Sequence, residues 1–148
     1  METKIIIDFF ERDLNKLKEE INLYKNEFDL WKVEKEIKNS TGNLTLHIIG
    51  NLNHFIGAIL GNTGYVRERD KEFSDSNILA SKMIKEIDAI IILTKKIVSK
   101  YSDEELQQDY PQEFLGKTVS NTFILIQLLV HLNYHLGQIN YHRRLTCK

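Results

Sequence analysis

Histidines are the residues of this chain whose type and spacing could do chemistry. The sequence holds five of them, and three fall in the segment from Thr118 to Lys148. His131 and His135 are four positions apart, so on a helix both imidazoles project from one face, about one turn apart. This is the spacing with which one helix offers two nitrogen ligands to a metal ion. A divalent metal site is therefore the leading hypothesis.

A third ligand has to come from another element, and two histidines on an earlier helical segment are available. His47 and His54 fall on one face of a predicted helix that begins near Asn43, its predicted N-cap, and they lie roughly 10 Å apart along the helix axis. An ion held by His131 and His135 can bind only one of these two histidines directly, because metal–nitrogen bonds are about 2 Å long. Spacing alone leaves the choice between His47 and His54 open.

The type of metal and of chemistry follows from the ligands. Neutral imidazoles favour zinc or nickel, with iron or manganese as alternatives, and an open fourth position would hold a polarised water. No glutamate follows His131, so the HExxH motif of metalloproteases is absent.

Each histidine also has a purely structural interpretation. A single HxxxH pair often arises by chance, and a buried neutral imidazole bonded to a carbonyl is the commoner explanation for any one histidine. His54 is therefore interpreted either as a pocket residue beside the ligands or as a core residue. His142 is expected in solvent or at the mouth of the site. The neighbouring Arg143 and Arg144 are explained by the negative end of the helix dipole.

Four segments with helical periodicity must position these residues. Apolar residues recur in them at spacings of three and four, and no segment alternates like a strand for more than a few residues. The predicted helices cover residues 3–28, Asn43 through Val66, Ser76 to Tyr101, and Thr118 to Lys148. The third is expected to bury Ala80, Ile84, Ile87, Ile91 and Val98. This pattern predicts an all-α protein with a four-helix bundle.

The last predicted helix carries two stripes that both need burial. The first is apolar in its early turns and polar later; it comprises Ile124, Leu128, His131, His135, Gln138 and His142. The second is apolar throughout; it comprises Leu125, Leu129, Leu132, Leu136 and Ile139. A helix that buries both stripes carries imidazoles inside the protein.

Connections between the helices bear on topology. Residues 29–42 are predicted to be a connection with a helical turn around Leu30 to Ile37, and Ser102 to Glu105 has the form of a capping box. The charged segment from Arg67 to Ser76 could just span a bundle if extended, at about 3.3 Å per residue. It could therefore be a crossover between parallel helices or a hairpin, and the sequence leaves both open.

Length and composition set the remaining bounds. A chain of 148 residues is most simply one domain, residues 1–148, and its net charge of −1 indicates neither nucleic acid nor an anionic membrane as partner. The single cysteine, Cys147, excludes an internal disulfide and fits a reducing compartment. The N-terminal residues are charged too early for a secretory signal, and no apolar run reaches a membrane span. A cytoplasmic protein is expected.

The chain resembles the DinB-like (DinB/YfiT) superfamily. The motif H-x-x-x-H-x-G-Q of its last helix is matched by His131, His135, Gly137 and Gln138, and its early histidine is matched by His47. The resemblance covers nearly the whole chain in element order, although only about fifteen residues carry the motifs. It implies an up-down-down-up four-helix bundle with a crossover between the second and third helices. It also implies a divalent metal on His47, His131 and His135, and a homodimer.

The same resemblance implies an activity. Some relatives use the metal to activate a low-molecular-weight thiol, such as bacillithiol or mycothiol, because a coordinated thiol is deprotonated at neutral pH. Gln138 lies on the histidine stripe, where it could orient a ligand, and Asn51 and His54 are further candidates for the pocket. Gly137 is expected to let another group approach the helix closely. Leu136 departs from the family, which often has a basic residue there, and this weakens the case for anionic-substrate binding at that point.

Two classes of function remain open from the sequence. The first is a metal-dependent thiol S-transferase or hydrolase acting on a small electrophile. The second is a non-catalytic bundle whose metal or histidines serve stability, partner binding or a stress response. A fourth protein ligand, for which His54 is the candidate, would indicate the second class. Apolar residues beside the main stripe of the third helix also predict a homodimer that buries them: Met83, Ile90 and Ile97.

Overall fold

The computed structural model describes residues 1–147, and its regular structure is helical throughout. It has six α-helices: α1 (Glu2–Asn22), α2 (Thr41–Leu52), α3 (Arg69–Ser74), α4 (Ala80–Val98), α5 (Asp103–Leu106) and α6 (Asn121–Thr146). A 3₁₀ turn covers Glu27–Trp31, and a π-helix over Asn53–Leu60 continues α2. Pairing of the strand type is limited, in this part of the chain, to two isolated bridges between 109 and 120 and between 114 and 117. The all-α prediction is confirmed.

Helix α1 ends six residues before the sequence predicted. Its apolar stripe is buried as expected, with Phe10, Leu14 and Leu17 almost fully enclosed. The chain leaves the helix after Asn22, and the side chain of Asn26 accepts a hydrogen bond from the Phe28 amide to begin the 3₁₀ turn. The extension of the helix to residue 28 is therefore wrong. Phe28, the last residue of the predicted helix, is 73% exposed, whereas Leu30 is enclosed.

Helix α2 begins two residues earlier than predicted and has a different cap. Ser40 is the N-cap, and its hydroxyl accepts a hydrogen bond from the Asn43 amide. Asn43, the predicted cap, donates its side-chain amide to the carbonyls of Glu72 and Asp75 instead. These two bonds tie the start of α2 to the end of α3. The helical run ends near Leu60 rather than Val66, and Asn62 then adopts a positive φ of 49°.

The charged segment after α2 is folded, although the sequence indicated a simple connection. It contains α3, and Glu72 in its last turn is only 6% exposed. Further along, Ser102 forms the predicted capping box with Glu105 at the start of α5. Helix α6 begins after its N-cap Ser120 and ends at Thr146, inside the predicted bounds of 118 to 148. Lys148 lies outside the described residues.

Helix α4 buries a different face from the one predicted. Ile87 and Val98 are enclosed as expected, but Ala80, Ile84 and Ile91 are only partly buried. The centre of the buried face is formed by residues one step away: Met83, Ile90, Thr94 and Ile97. The interpretation of Met83, Ile90 and Ile97 as dimer surface is therefore wrong, because the chain buries them in its own core.

Helix α1 contacts both α4 and α6. Lys18 pairs with Asp88 in the middle of α4, and the amide of Glu2 donates to Asp103 just beyond the end of α4. Against α6, contacts advance in the same direction along both helices, through two side-chain pairs: Asp13 with Asn133, and Glu20 with Asn140.

The α2 segment and its π-helical continuation also contact α4 and α6. Gly57 and Gly61 approach Leu93 and Ile97 of α4 so closely that a Cβ at either glycine would meet those side chains. His47 of α2 contacts His131 near the middle of α6, and Thr41 at the start of α2 contacts His142 near the end of α6. The long helices enclose one apolar core between them.

No helix within residues 1–147 combines the length and hydropathy that crossing a bilayer requires.

Candidate metal centre

Three histidines from two helices meet at one point between α2 and α6. The Nε2 atom of His131 lies 3.0 Å from Nε2 of His47 and 3.0 Å from Nε2 of His135. Nitrogens that share a tetrahedral ion at bonds of about 2.05 Å lie about 3.3 Å apart. These two separations are close to the value that a common divalent ion requires, and the ligand atoms of all three residues lie within 4.8 Å of one another, so together they could hold one ion.

The positions of the three histidines on their helices explain why these side chains meet. His131 and His135 stand one turn apart on α6, as their i, i+4 spacing dictates. His47 stands in the second turn of α2, downstream of the Ser40 cap that sets where this helix begins. Its neighbours Leu44, Ile48 and Leu52 anchor α2 in the core, which fixes the level at which His47 meets α6.

Hydrogen bonds orient two of the rings for ligation. Nδ1 of His47 lies 3.0 Å from Oε1 of Glu72, and Nδ1 of His135 lies 2.7 Å from Oε1 of Gln138. Both oxygens are acceptors, so each Nδ1 carries the proton and donates it. The lone pair of each ring is then on Nε2, the atom that faces the other histidines. A carboxylate or amide behind a histidine in this way is the usual support of a metal ligand.

Electrostatics keep the three rings neutral. Burial, together with the charges of the neighbouring His135 and His47, lowers the pKa of His131 to about 4. Burial also lowers the pKa of His47 and of His135, opposed by the hydrogen bonds to Glu72 and Gln138 respectively. At pH 7 the site therefore presents unprotonated nitrogens, the form in which histidine binds a metal.

Glu72 and Arg67 belong to this site, and sequence reasoning missed both. Arg67 forms a two-pronged ion pair with Glu72, with Nε to Oε2 and Nη2 to Oε1 both at 2.9 Å. Gly50 makes the arrangement possible, because a Cβ at that position would collide with the Glu72 carboxylate. A glycine one turn after a histidine, in the middle of a helix, was the available signal. The sequence could show that something approaches Gly50 but not which residue does.

Replacing Glu72 with glutamine is expected to weaken zinc binding about 10–100-fold, because the ring of His47 loses its charged acceptor. Gly50→Ala keeps the carboxylate but occupies its place, so a loss in the same range is expected. Competition titration against a chromophoric chelator at fixed pH measures both affinities. Glu68→Gln removes a nearby exposed carboxylate and is the matched control. Zinc affinities of Glu72→Gln and Gly50→Ala equal to the parent's would show that Glu72 does not support the site.

The predicted pocket residues take different positions. His54 lies outside the histidine group and lines a separate cavity with Arg67. Asn51 is buried one turn beyond His47, and its Oδ1 has no hydrogen-bond partner among the described protein atoms. Gln138 is exposed apart from its bond to His135. Gly137 faces open space, since no atom of residues 1–147 lies within 4 Å of a Cβ placed there. It therefore serves no close approach within this part of the chain.

His142 is buried rather than solvated, which corrects the prediction from the sequence. Only 3% of it is exposed, and its Nε2 donates to the carbonyl of Lys32 at 2.8 Å. Its Nδ1 accepts a hydrogen bond from the hydroxyl of Tyr24 at 2.7 Å, with Thr41 at 3.0 Å. The connection between α1 and α2 folds over the end of α6 and covers this ring. His142 is thus a structural residue that fastens the connection.

Comparison with known proteins places the chain in a family. Among curated proteins none matches it. A family described as "Protein of unknown function (DUF1572)" matches residues 5–148, which is nearly the whole sequence. The match includes all three histidines of the candidate metal centre. The chain therefore belongs to the DUF1572 family.

Proposed function

We propose that this protein binds one divalent metal ion through Nε2 of His47, His131 and His135. The observation that carries the proposal is the convergence of three Nε2 atoms while two of the Nδ1 atoms donate to Glu72 and Gln138. Neutral imidazoles in this number are typical ligands of zinc and nickel, with iron and manganese as alternatives.

The accessibility of the site favours a catalytic over a purely structural metal. His131 and His135 are only partly buried, and no fourth His, Cys, Asp or Glu within residues 1–147 joins the group. Structural zinc sites are usually closed by four protein ligands, whereas catalytic sites keep a position open. We propose a metal-dependent thiol S-transferase or hydrolase that acts on a small electrophile.

The ion and the protein side chains have different roles in the proposed chemistry. A divalent ion, when bound, supplies Lewis acidity that lowers the pKa of a thiol or water at its open position. Glu72 and Gln138 hold the ligand rings in the required tautomer. Asn51 stands one turn beyond His47 on the same helix, and its buried Oδ1, which has no partner within residues 1–147, is the acceptor available for a hydrogen bond from a water or a protic substrate group at the site. A cytoplasmic location suits a reduced thiol as co-substrate.

Metal analysis of the purified protein, followed by zinc and nickel titrations, tests the binding proposal. We expect about one equivalent per chain, as one group of three ligands holds one ion. A protein that takes up no zinc or nickel at micromolar concentrations would refute it. A screen of small thiols with chromogenic electrophiles then tests catalysis, and metal-dependent turnover is the expected result. Metal binding without turnover would favour the alternative, a non-catalytic bundle that serves stability or partner binding.

The proposed arrangement of the chain is one up-down-down-up four-helix bundle, as in the DinB-like superfamily. The pairs between α1 and α6 advance together, which supports parallel helices, and those between α2 and α6 run in opposite order. Gly57 and Gly61 meet Leu93 and Ile97 in the same order, which supports a parallel pair of α2 and α4. A crossover through α3 would then connect them, and residues 1–148 would form one domain.

We also propose a homodimer, through a surface other than the one inferred from the sequence. Apolar side chains of α1 and α6 are exposed along a groove of about 490 Å³, among them Ile5, Phe9, Ile126 and Val130. A two-fold axis can pair such a groove with its own copy. Sedimentation analysis should give a dimer at micromolar concentration, and Val130→Glu should give a monomer. A parent protein that sediments as a monomer would exclude the dimer.

A further inference from the structure

A second cavity lies beside Arg67, separate from the convergence point of the three histidines. Its volume is about 560 Å³. One wall is the π-helix, through His54, Ala58 and Ile59, and another is the extended segment that carries Tyr65 and Arg67. Arg67 contacts His47 on its Nδ1 side, whereas His131 lies on the Nε2 side of the same ring. The cavity is thus reached from the side of His47 that faces away from the proposed metal.

The wall of this cavity is built from an uncommon backbone. π-Helices are rare, mostly single turns, and frequent at functional sites. Here the π-helix covers eight residues and ends where Gly57 accepts a hydrogen bond from the amide of Thr63 at 3.2 Å. All three π-helical residues of the cavity wall are only partly buried. The segment therefore presents side chains to the cavity instead of sealing them in the core.

Two polar groups of the wall have hydrogen-bonding capacity to spare. Arg67 is held rigidly by Glu72 through Nε and Nη2, but its Nη1 makes no hydrogen bond within residues 1–147. The ring of His54 likewise has no hydrogen-bond partner in the described chain. Arg67 is a planar donor whose orientation is already fixed, which reduces the entropy cost of binding an acceptor.

We propose that this cavity is a binding site for a small monocarboxylate with a compact apolar body. The carboxylate accepts from Nη1 of Arg67 and from the ring N–H of His54, and Ala58, Ile59 and Val66 contact the apolar part. The free Nη1 of Arg67 supplies charge-assisted donors for one carboxylate, and the site tolerates no more than a single negative charge because Glu72 already offsets part of the charge of Arg67. A dianionic phosphate would carry an excess charge that no other cation of the wall balances. The site goes beyond the proposed metal function, and its ligand does not touch the ion.

An NMR titration with benzoate tests the proposal. We expect benzoate to shift the backbone amide signals of Ala58, Ile59 and Tyr65, and to bind about tenfold more tightly than the neutral benzamide, because its hydrogen bonds are charge-assisted. Phenyl phosphate should bind more weakly than benzoate. Arg67→Gln should reduce benzoate binding about tenfold, to the level of benzamide. Arg69→Gln removes the same charge two residues away and should leave benzoate binding unchanged.

A second variant covers the case in which Arg67→Gln unfolds because Glu72 loses its partner. Ala58→Phe fills the cavity without touching that ion pair, and it should abolish binding of both benzoate and benzamide while zinc uptake persists. The titration is run with zinc-loaded and with zinc-free protein, and benzoate should bind to both. Benzoate binding that needs zinc and survives Ala58→Phe would place the carboxylate on the metal and overturn the proposal. Equal affinity for benzoate and benzamide would overturn it as well.

Discussion

Replacing His131 with alanine is expected to abolish stoichiometric metal binding. Its Nε2 lies 3.0 Å from the Nε2 atoms of both His47 and His135, so it is the middle ligand of the group. Removing it leaves two nitrogens on different helices, and the ion loses the ligand that links them. We expect the loss in zinc affinity to exceed the 10–100-fold change that follows from removing a supporting group. Metal analysis after dialysis, together with competition titration, measures it.

His54→Ala is the matched control for this experiment. It removes an imidazole from the same helical run as His47, but one that lies outside the convergence point. Zinc content should stay near one equivalent in His54→Ala and fall close to zero in His131→Ala. Circular dichroism and thermal unfolding of the metal-free proteins separate ligand loss from unfolding. If His131→Ala retains one equivalent while folded, the three histidines are not the metal site.

The proximity of the His131 and His135 side chains was predictable because both residues stand on one helix. The helical period fixes their relative position whatever the rest of the chain does. The distance from either residue to His47 or His54 depends on the relative position of α2 and α6 along their axes. Packing along the whole length of the two helices sets that position. Spacing therefore left the third ligand open, and the structure places His47, not His54, beside the pair.

Glu72 could not be found from the sequence because its surroundings look like solvated chain. The segment from Arg67 to Ser76 is rich in charge, which is typical of exposed connections, yet Glu72 and Arg67 are enclosed as a pair. A buried ion pair of this kind forms only through tertiary contact, here with the surface that Gly50 leaves free. The π-helix could not be predicted from the sequence either. A change to hydrogen bonds between residues i and i+5 does not alter the spacing of apolar residues by which a helix is recognised.

The predicted buried face of α4 was wrong by about one residue for a related reason. The helix has two adjacent apolar stripes, and periodicity gives the width of the combined face but not its centre. Met83 and Ile90 lie at that centre, while Ile84 and Ile91 lie at its edge. His142 was misplaced because it stands near the chain terminus, where fraying is the usual expectation. The connection that covers it could not be oriented from sequence.

Replacing Arg143 with methionine is expected to destabilise the fold by about 3 kcal/mol, because it leaves the buried Glu20 carboxylate without its charged partner. The value is at the lower end of the usual 3–5 kcal/mol range because the Arg143 side chain is partly exposed. Glu20 has 4% of its side chain exposed, accepts from Nε of Arg143 at 2.8 Å and also accepts from Asn140 at 2.7 Å. The helix dipole was therefore an incomplete explanation of this arginine.

The pH dependence of that loss identifies its cause. Burial raises the pKa of Glu20, but the hydrogen bonds from Arg143 and Asn140 and the guanidinium charge outweigh it, so the pKa lies below its ordinary value of 4.5. The ionised carboxylate thus stabilises the parent protein above pH 4.5, and this contribution is lost as the pH falls through the lowered pKa. In Arg143→Met burial dominates and raises the pKa, so protonation relieves the variant. The difference in stability should therefore shrink as the pH falls from the raised pKa of the variant, above 4.5, to the lowered pKa of the parent, below 4.5.

Urea unfolding of four proteins from pH 7 down to pH 3.5 tests both statements. Glu20→Gln combined with Arg143→Met removes both charges, and it should regain most of the stability that the single variant loses, because no buried charge is left unpaired. Arg143→Lys keeps the charge without the planar fork and should lie between the parent and Arg143→Met. A double variant as unstable as Arg143→Met at pH 7, or a difference that does not change with pH, would show that packing and not the Glu20 charge sets the cost.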